Sequence, residues 1–361
     1  MLESWLVPYA PALVGDDDAG TEEQPEDVSE SREGSVLWRG HRIAVSPHGN
    51  YPVLEALARV LLVDKQHDRL LRLLRAHLER PEDPEVWEGL LHLIRYLRPS
   101  SQEALAAFLS QLFTRYPSLT GSAEAAILFA HVRLVVPDFV KATLPCWKAD
   151  RRPRAQQAYD ELVALIVLVH PDLGWGMELL DEVLASDERT VARAGAAYAA
   201  VNVFSQNVNR AAALSLLATL IPKADGPTWA GIFDLFRLVE EVTPDKDWIS
   251  LLQVMADYLG NAKGQTSLHI VPLLRGLLPH EGLLAARIAR GLAANWAEEL
   301  GDIRTSTAGA AQQLVDLALT LHRLGPETRE QGTALFEDLL EFNALGVQKT
   351  LHEIDRRFAA A

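Results

Sequence analysis

Proline and glycine cut residues 52–358 into runs of roughly one helix each. Apolar residues recur at spacings of three and four, as in Leu70, Leu71, Leu74, Leu78 and in Leu162, Leu165, Ile166, Val169, the period of a helix with one buried stripe. Breakers stand between the runs at Pro81/Pro84, Pro99, Pro117, Pro137, Pro153, Pro171, Pro222/Pro227, Pro244, Pro279 and Pro326. Ser, Asp or Thr beside them supplies the caps that helix starts need. Leu, Ala, Glu and Arg dominate the composition, and runs rich in Val, Ile and Thr, which strands need, are scarce.

The pattern predicts an all-α chain of about eight helix pairs: 52–64 with 67–80, 84–98 with 101–115, 122–135 with 138–149, and 154–170 with 173–186. The series continues 189–206 with 208–221, 227–242 with 245–260, 265–278 with 281–300, and 307–324 with 327–342, before a last helix over 345–358. First helices of successive pairs start roughly 31 to 40 residues apart, the period of helical-hairpin repeats. A single pair leaves one apolar face open, so each pair must cover its neighbour. Trp87-Glu-Gly89-Leu-Leu-His-Leu-Ile-Arg95 aligns without gaps to Trp229-Ala-Gly231-Ile-Phe-Asp-Leu-Phe-Arg237. Gly inside a helix costs about 1 kcal/mol, which close approach of a neighbouring helix would offset.

Degenerate pairs of this length resemble HEAT repeats, and lack the fixed Trp, Leu-Gly, Tyr, Ala and Pro positions of tetratricopeptide repeats. The stretch from Leu335 through Phe336, Leu339, Leu340 and Phe342 to Phe358 is similar to the closing helices of large bacterial defence proteins, which often carry an NTPase or effector ahead of a helical sensor. The resemblance implies a right-handed α-solenoid of antiparallel pairs, and a scaffold or sensor role beside a larger effector or NTPase subunit in a bacterial, anti-phage system.

Ahead of the expected helical-repeat domain, 52–361, three segments differ. Residues 1–14 are apolar, with Trp5, Leu6 and Tyr9 in the layout of a docking motif. It could engage the chain's own surface, a neighbouring copy or a partner, and so support an oligomer. Residues 15–34 read as an acidic, flexible linker: nine acids and one base between Asp16 and Glu33 give a net of −8 out of −15 for the whole chain. Residues 35–51 read as an irregular or hairpin extension, with strands flanking Arg39-Gly40 in Val36–Val45.

The remaining charge of −7 disfavours duplex nucleic acid and anionic membranes as bulk partners. No run reaches the roughly 18 apolar residues of a membrane span, the N-terminus lacks a signal-peptide pattern, and Cys146 alone cannot form an internal disulfide. A cytoplasmic protein is expected.

Motifs that would carry chemistry are missing. Gly260-Asn-Ala-Lys-Gly264 lacks the Lys-Ser/Thr of a phosphate loop. No two His stand four apart, as a helical zinc site needs, and Cys146 reads as a buried structural thiol. No catalytic residue, metal or cofactor is expected. His77, His131 and His322 are expected packed or half-exposed in helices. Two basic groups are candidates for partner contact: Lys65, Arg69, Arg72 and Arg75 on one helix face, and Arg151 and Arg152 beside Arg154 in a loop. Neither shows the interleaved aromatics of a single-strand platform. The expected function is a non-catalytic protein-interaction scaffold. Nucleic-acid binding through the Arg faces and an accessory subunit of a separate effector enzyme stand as alternatives.

Overall fold

A computed structural model describes residues 34–39, 49–149, 152–185, 190–238, 245–262, 267–305 and 307–359. The described residues are helical throughout, with turns between helices and no strand. In order the helices are α1 (Val36–Arg39), α2 (Tyr51–Val63), α3 (His67–Leu78), α4 (Pro84–Ile94), α5 (Gln102–Arg115), α6 (Ala123–Val132), α7 (Pro137–Ala149), α8 (Pro153–Val169), α9 (Gly174–Ala185), α10 (Thr190–Ser205), α11 (Arg210–Leu220), α12 (Gly226–Leu238), α13 (Lys246–Tyr258), α14 (Ile270–Asn295), α15 (Ala308–Leu324), α16 (Pro326–Glu341) and α17 (Val347–Ala359). Among the described residues no helix is long and apolar enough to cross a membrane.

Most starts are written locally. Pro84 opens α4, and the Asp83 carboxylate accepts from Glu85 N at 2.9 Å. Ser101 and Ser122 Oγ accept from Ala104 N and Ala125 N at 3.1 Å each, and Asp245 Oδ1 from Trp248 N at 2.9 Å. Each such cap satisfies a backbone donor that the helix leaves open, worth about 1 kcal/mol.

One departure from the expected elements stands out. Val36–Arg39 is one turn of helix and not a hairpin strand, because its backbone amides find a side-chain carboxylate instead of a partner strand. The helices expected at 265–278 and 281–300 form the two halves of α14, parted by a kink at Glu281, which follows Pro279 and leaves helical geometry (φ −137°, ψ 53°).

The contacts divide the chain into two compact units, residues 1–199 and 200–361. In the first, α2 packs on α4, α4 on α6 and α6 on α8, while α3 packs on α5 and α5 on α7. Alternate helices thus stack in two rows, and the apolar stripes close between them. His77, Phe108 and Tyr116 surround Trp87, and Phe129 packs on Phe113, Phe139 and Trp147. In the second unit α11 packs on α13, α12 on α14, and α14 on α15 and α16. Its aromatic core joins Phe204, Trp229, Phe233, Phe236 and Trp248.

The two aligned tryptophans hold equivalent places. Trp87 and Trp229 are each the fourth residue of their helix and fully buried. Gly89 and Gly231 are buried too.

Candidate functional site

The basic face expected on the second helix forms in part. Leu70, Leu71, Leu74 and Leu78 are buried on α3, while Arg69 and Arg72 are exposed and Arg75 is half-buried. Lys65 lies outside the helix, in the α2–α3 turn, with a left-handed backbone (φ 56°). Arg69 Nη1 donates to Gln66 Oε1 at 3.3 Å, and the charge of Arg72 helps to hold the Asp68 carboxyl below its usual range, behind two hydrogen bonds from Ser100.

Arg152 is exposed, and its Nη2 donates to the Ser118 carbonyl at 3.2 Å. It also acts on Glu88, where burial and the neighbouring Glu85 raise the carboxyl above its usual range, against a hydrogen bond with Glu124 and the Arg152 charge. Arg152 therefore serves its own local network rather than the α3 face. Arg151, Trp5, Leu6 and Tyr9 lie outside the described residues, as does most of the acidic linker.

Two buried carboxylates that sequence reasoning missed organise the first unit. Glu82 Oε2 accepts from Asn50 Nδ2 at 2.7 Å and contacts His77 Nε2 at 2.8 Å, while Oε1 accepts from Asp83 N at 3.2 Å. Tyr116 OH donates to the Glu82 carbonyl at 3.2 Å. This network ties the start of α2 and the end of α3 to the turns around α4 and α5. Burial pushes the His77 imidazole below its usual range, and the Glu82 hydrogen bond and charge only partly offset that.

The second carboxylate grips the N-terminal turn. Glu161 on α8 is fully buried; Oε2 accepts from Val36 N at 2.8 Å and Leu37 N at 3.2 Å, and Oε1 accepts from Ser35 Oγ. Gln157 Nε2 donates to the Gly34 carbonyl at 2.8 Å, and Gly34 N donates to Tyr198 OH at 3.3 Å. α1 packs on α6 as well as α8, and Ser35 and Val36 are buried. Most of these contacts are to backbone groups, so side chains of α8 and α10 hold the main chain of Gly34–Leu37. Hydrogen bonds to a charged acceptor each contribute about 1.5 to 3 kcal/mol. The readable signal was Gln157, Asp160 and Glu161 inside an otherwise Ala-, Leu- and Val-rich helix. Polar groups in a helix buried nearly all round need partners from elsewhere.

The remaining candidates are placed plainly. Cys146, expected buried, is exposed. Val140, Leu144 and Trp147 form the inner stripe of α7, and one residue's rotation puts Cys146 off it. His77 is buried, and His131 and His322 are exposed. Among the described residues no group of three His, Cys, Asp or Glu could hold a metal ion. Compared with known proteins, the chain matches no family model, no curated protein and no solved structure.

Proposed function

We propose that the chain is a non-catalytic protein-interaction scaffold, its helical rows forming a HEAT-like right-handed solenoid that works in the cytoplasm. The observation that carries this reading is the grip of Glu161, Gln157 and Tyr198 on Gly34–Leu37. A surface that pairs buried side chains with main-chain donors and acceptors is suited to extended or single-turn peptide segments, and stacked helical repeats offer such surfaces along their length. The similarity of the 335–358 stretch to defence-protein helices adds the proposal that the partner is an effector or NTPase subunit of a bacterial, anti-phage assembly.

Purification of the full chain at native expression level, followed by crosslinking mass spectrometry, tests the proposal. The expected result is a stoichiometric protein partner crosslinked to α6, α8 or their neighbours. A chain that purifies without any stoichiometric partner and turns over a substrate by itself would end it.

A further inference from the structure

The C-terminal ends of α4 and α6 form a basic and aromatic edge. No Asp or Glu occurs between Glu88 and Glu103, nor between Glu124 and Asp138. Arg95 caps α4 and Arg133 caps α6. The Arg95 guanidinium lies 4.7 Å from the Tyr96 ring centroid, with Nη2 donating to Tyr96 OH at 2.8 Å. The Tyr96 and His131 rings are 5.9 Å apart. Arg98 Nη1 donates to the carbonyls of Arg95 and Leu97 at 2.9 and 2.7 Å. α4 packs on α6, and after burial the charges of Arg95, Arg98 and Arg133 hold the His131 imidazole below its usual range. Asp68 comes near from α3, but its carboxylate accepts from the Ser100 amide and hydroxyl at 2.9 and 3.0 Å.

The partial negative charge of two helix ends is met by one cation at each. Beyond those two caps the edge carries the Arg98 guanidinium, the His131 imidazole and a Tyr96 ring 45% exposed. The acceptor that fits several guanidinium groups at once is an oxyanion. Phosphodiester oxygens meet that need, and the exposed ring gives a base something to stack on. A carboxylate chain would leave the ring unused, and a duplex hides its base faces. The chain's acidity lies elsewhere: residues 49–149 hold twelve Lys and Arg against eleven Asp and Glu.

We propose that this edge binds single-stranded nucleic acid, with phosphates on Arg95, Arg98 and Arg133 and a base stacked on Tyr96 beside His131. The site goes beyond the scaffold reading and does not depend on it.

Fluorescence anisotropy of the full chain with a labelled oligothymidylate of about 20 nucleotides, at roughly 50 and 200 mM salt, tests the proposal. Binding should weaken as salt rises. The combined R95Q, R98Q and R133Q variant should lose at least about tenfold in affinity and flatten the log–log salt slope by about 2, near 0.7 per lost phosphate contact. Tyr96→Ala should cost about 5- to 150-fold with the slope unchanged, the equivalent of roughly 1 to 3 kcal/mol of stacking. Arg133→Lys should keep the slope, which separates loss of charge from loss of fold, and circular dichroism checks each variant. Absence of binding at low salt overturns the proposal. So does a salt slope untouched in the triple variant, or a duplex or a poly-glutamate peptide binding this edge as tightly as the single strand.

Discussion

His77 Nε2 and Glu82 Oε2 lie 2.8 Å apart with both side chains about 1% exposed. Facing a carboxylate oxygen, which accepts, a neutral imidazole donates its Nε2–H to Glu82 Oε2. Glu82→Ala would remove the carboxylate that His77, Asn50 and the Asp83 amide share. It should destabilise the first unit by about 1 to 3 kcal/mol, the usual cost of a buried donor that loses its acceptor, read by urea unfolding.

The same pair sets a direction with pH. Because burial lowers the folded-state pKa of His77 below its unfolded value, the native state binds fewer protons. The associated stability is fully present above the ordinary imidazole range and is lost as pH falls through the lowered folded value. Unfolding midpoints measured from about pH 7 to pH 5 should fall, and His77→Gln should flatten the fall. His131 shifts the same way, so part of the slope should survive that substitution. A midpoint that rises on acidification would contradict the assignment.

Gly332 on α16 lies against the backbone of α15. A Cβ there would stand 2.6 Å from His322 N and 2.7 Å from Ala318 O, distances no real side chain adopts. Gly332→Ala should therefore cost about 1 to 3 kcal/mol despite the better helix propensity of Ala. Gly309, whose added Cβ would meet nothing within 4 Å, is the control, and its Ala variant should gain up to about 1 kcal/mol. Thermal melts of the two variants distinguish packing from propensity.

Glu161→Gln keeps the shape of the side chain and removes the charge that faces the Ser35, Val36 and Leu37 donors. Amide hydrogen exchange at Val36 and Leu37 should speed up by about 10- to 100-fold, in line with roughly 1.5 to 3 kcal/mol per charge-assisted bond. Exchange on α3 should stay unchanged. Equal rates in both proteins would show that packing alone holds the turn.

Cys146 is exposed on the outer side of α7 beside Pro145. One thiol per chain should react with a disulfide reagent under native conditions, with no denaturant needed. A native protein that reacts only after unfolding would return Cys146 to the core.

The helices were legible because their signals are local. Pro84, Pro137, Pro153 and Pro326 fix the backbone at helix starts whatever surrounds them, and the leucine spacing of α3 marks its inner face. The equivalence of Trp87 and Trp229 was legible as well, since it is a match of sequence to sequence. The Gly34–Leu37 grip was not. It joins residues about 125 positions apart, and nothing near Ser35 announces its acceptor. Nor was the Arg95–Tyr96–Arg98–His131–Arg133 edge, which exists only because the ends of α4 and α6 come together. The basic residues that sequence reasoning chose sit next to one another along the chain, whereas those that gather in space come from two neighbouring helices.

The buried carboxylate on α8 also fixes where a trimmed version of this protein can begin. Starting at Tyr51, the first residue of the first long helix, would take the Ser35, Val36 and Leu37 donors away from a fully buried carboxylate. A shortened chain that keeps those bonds therefore opens no later than Gly34, and a short turn of four residues belongs to its keel.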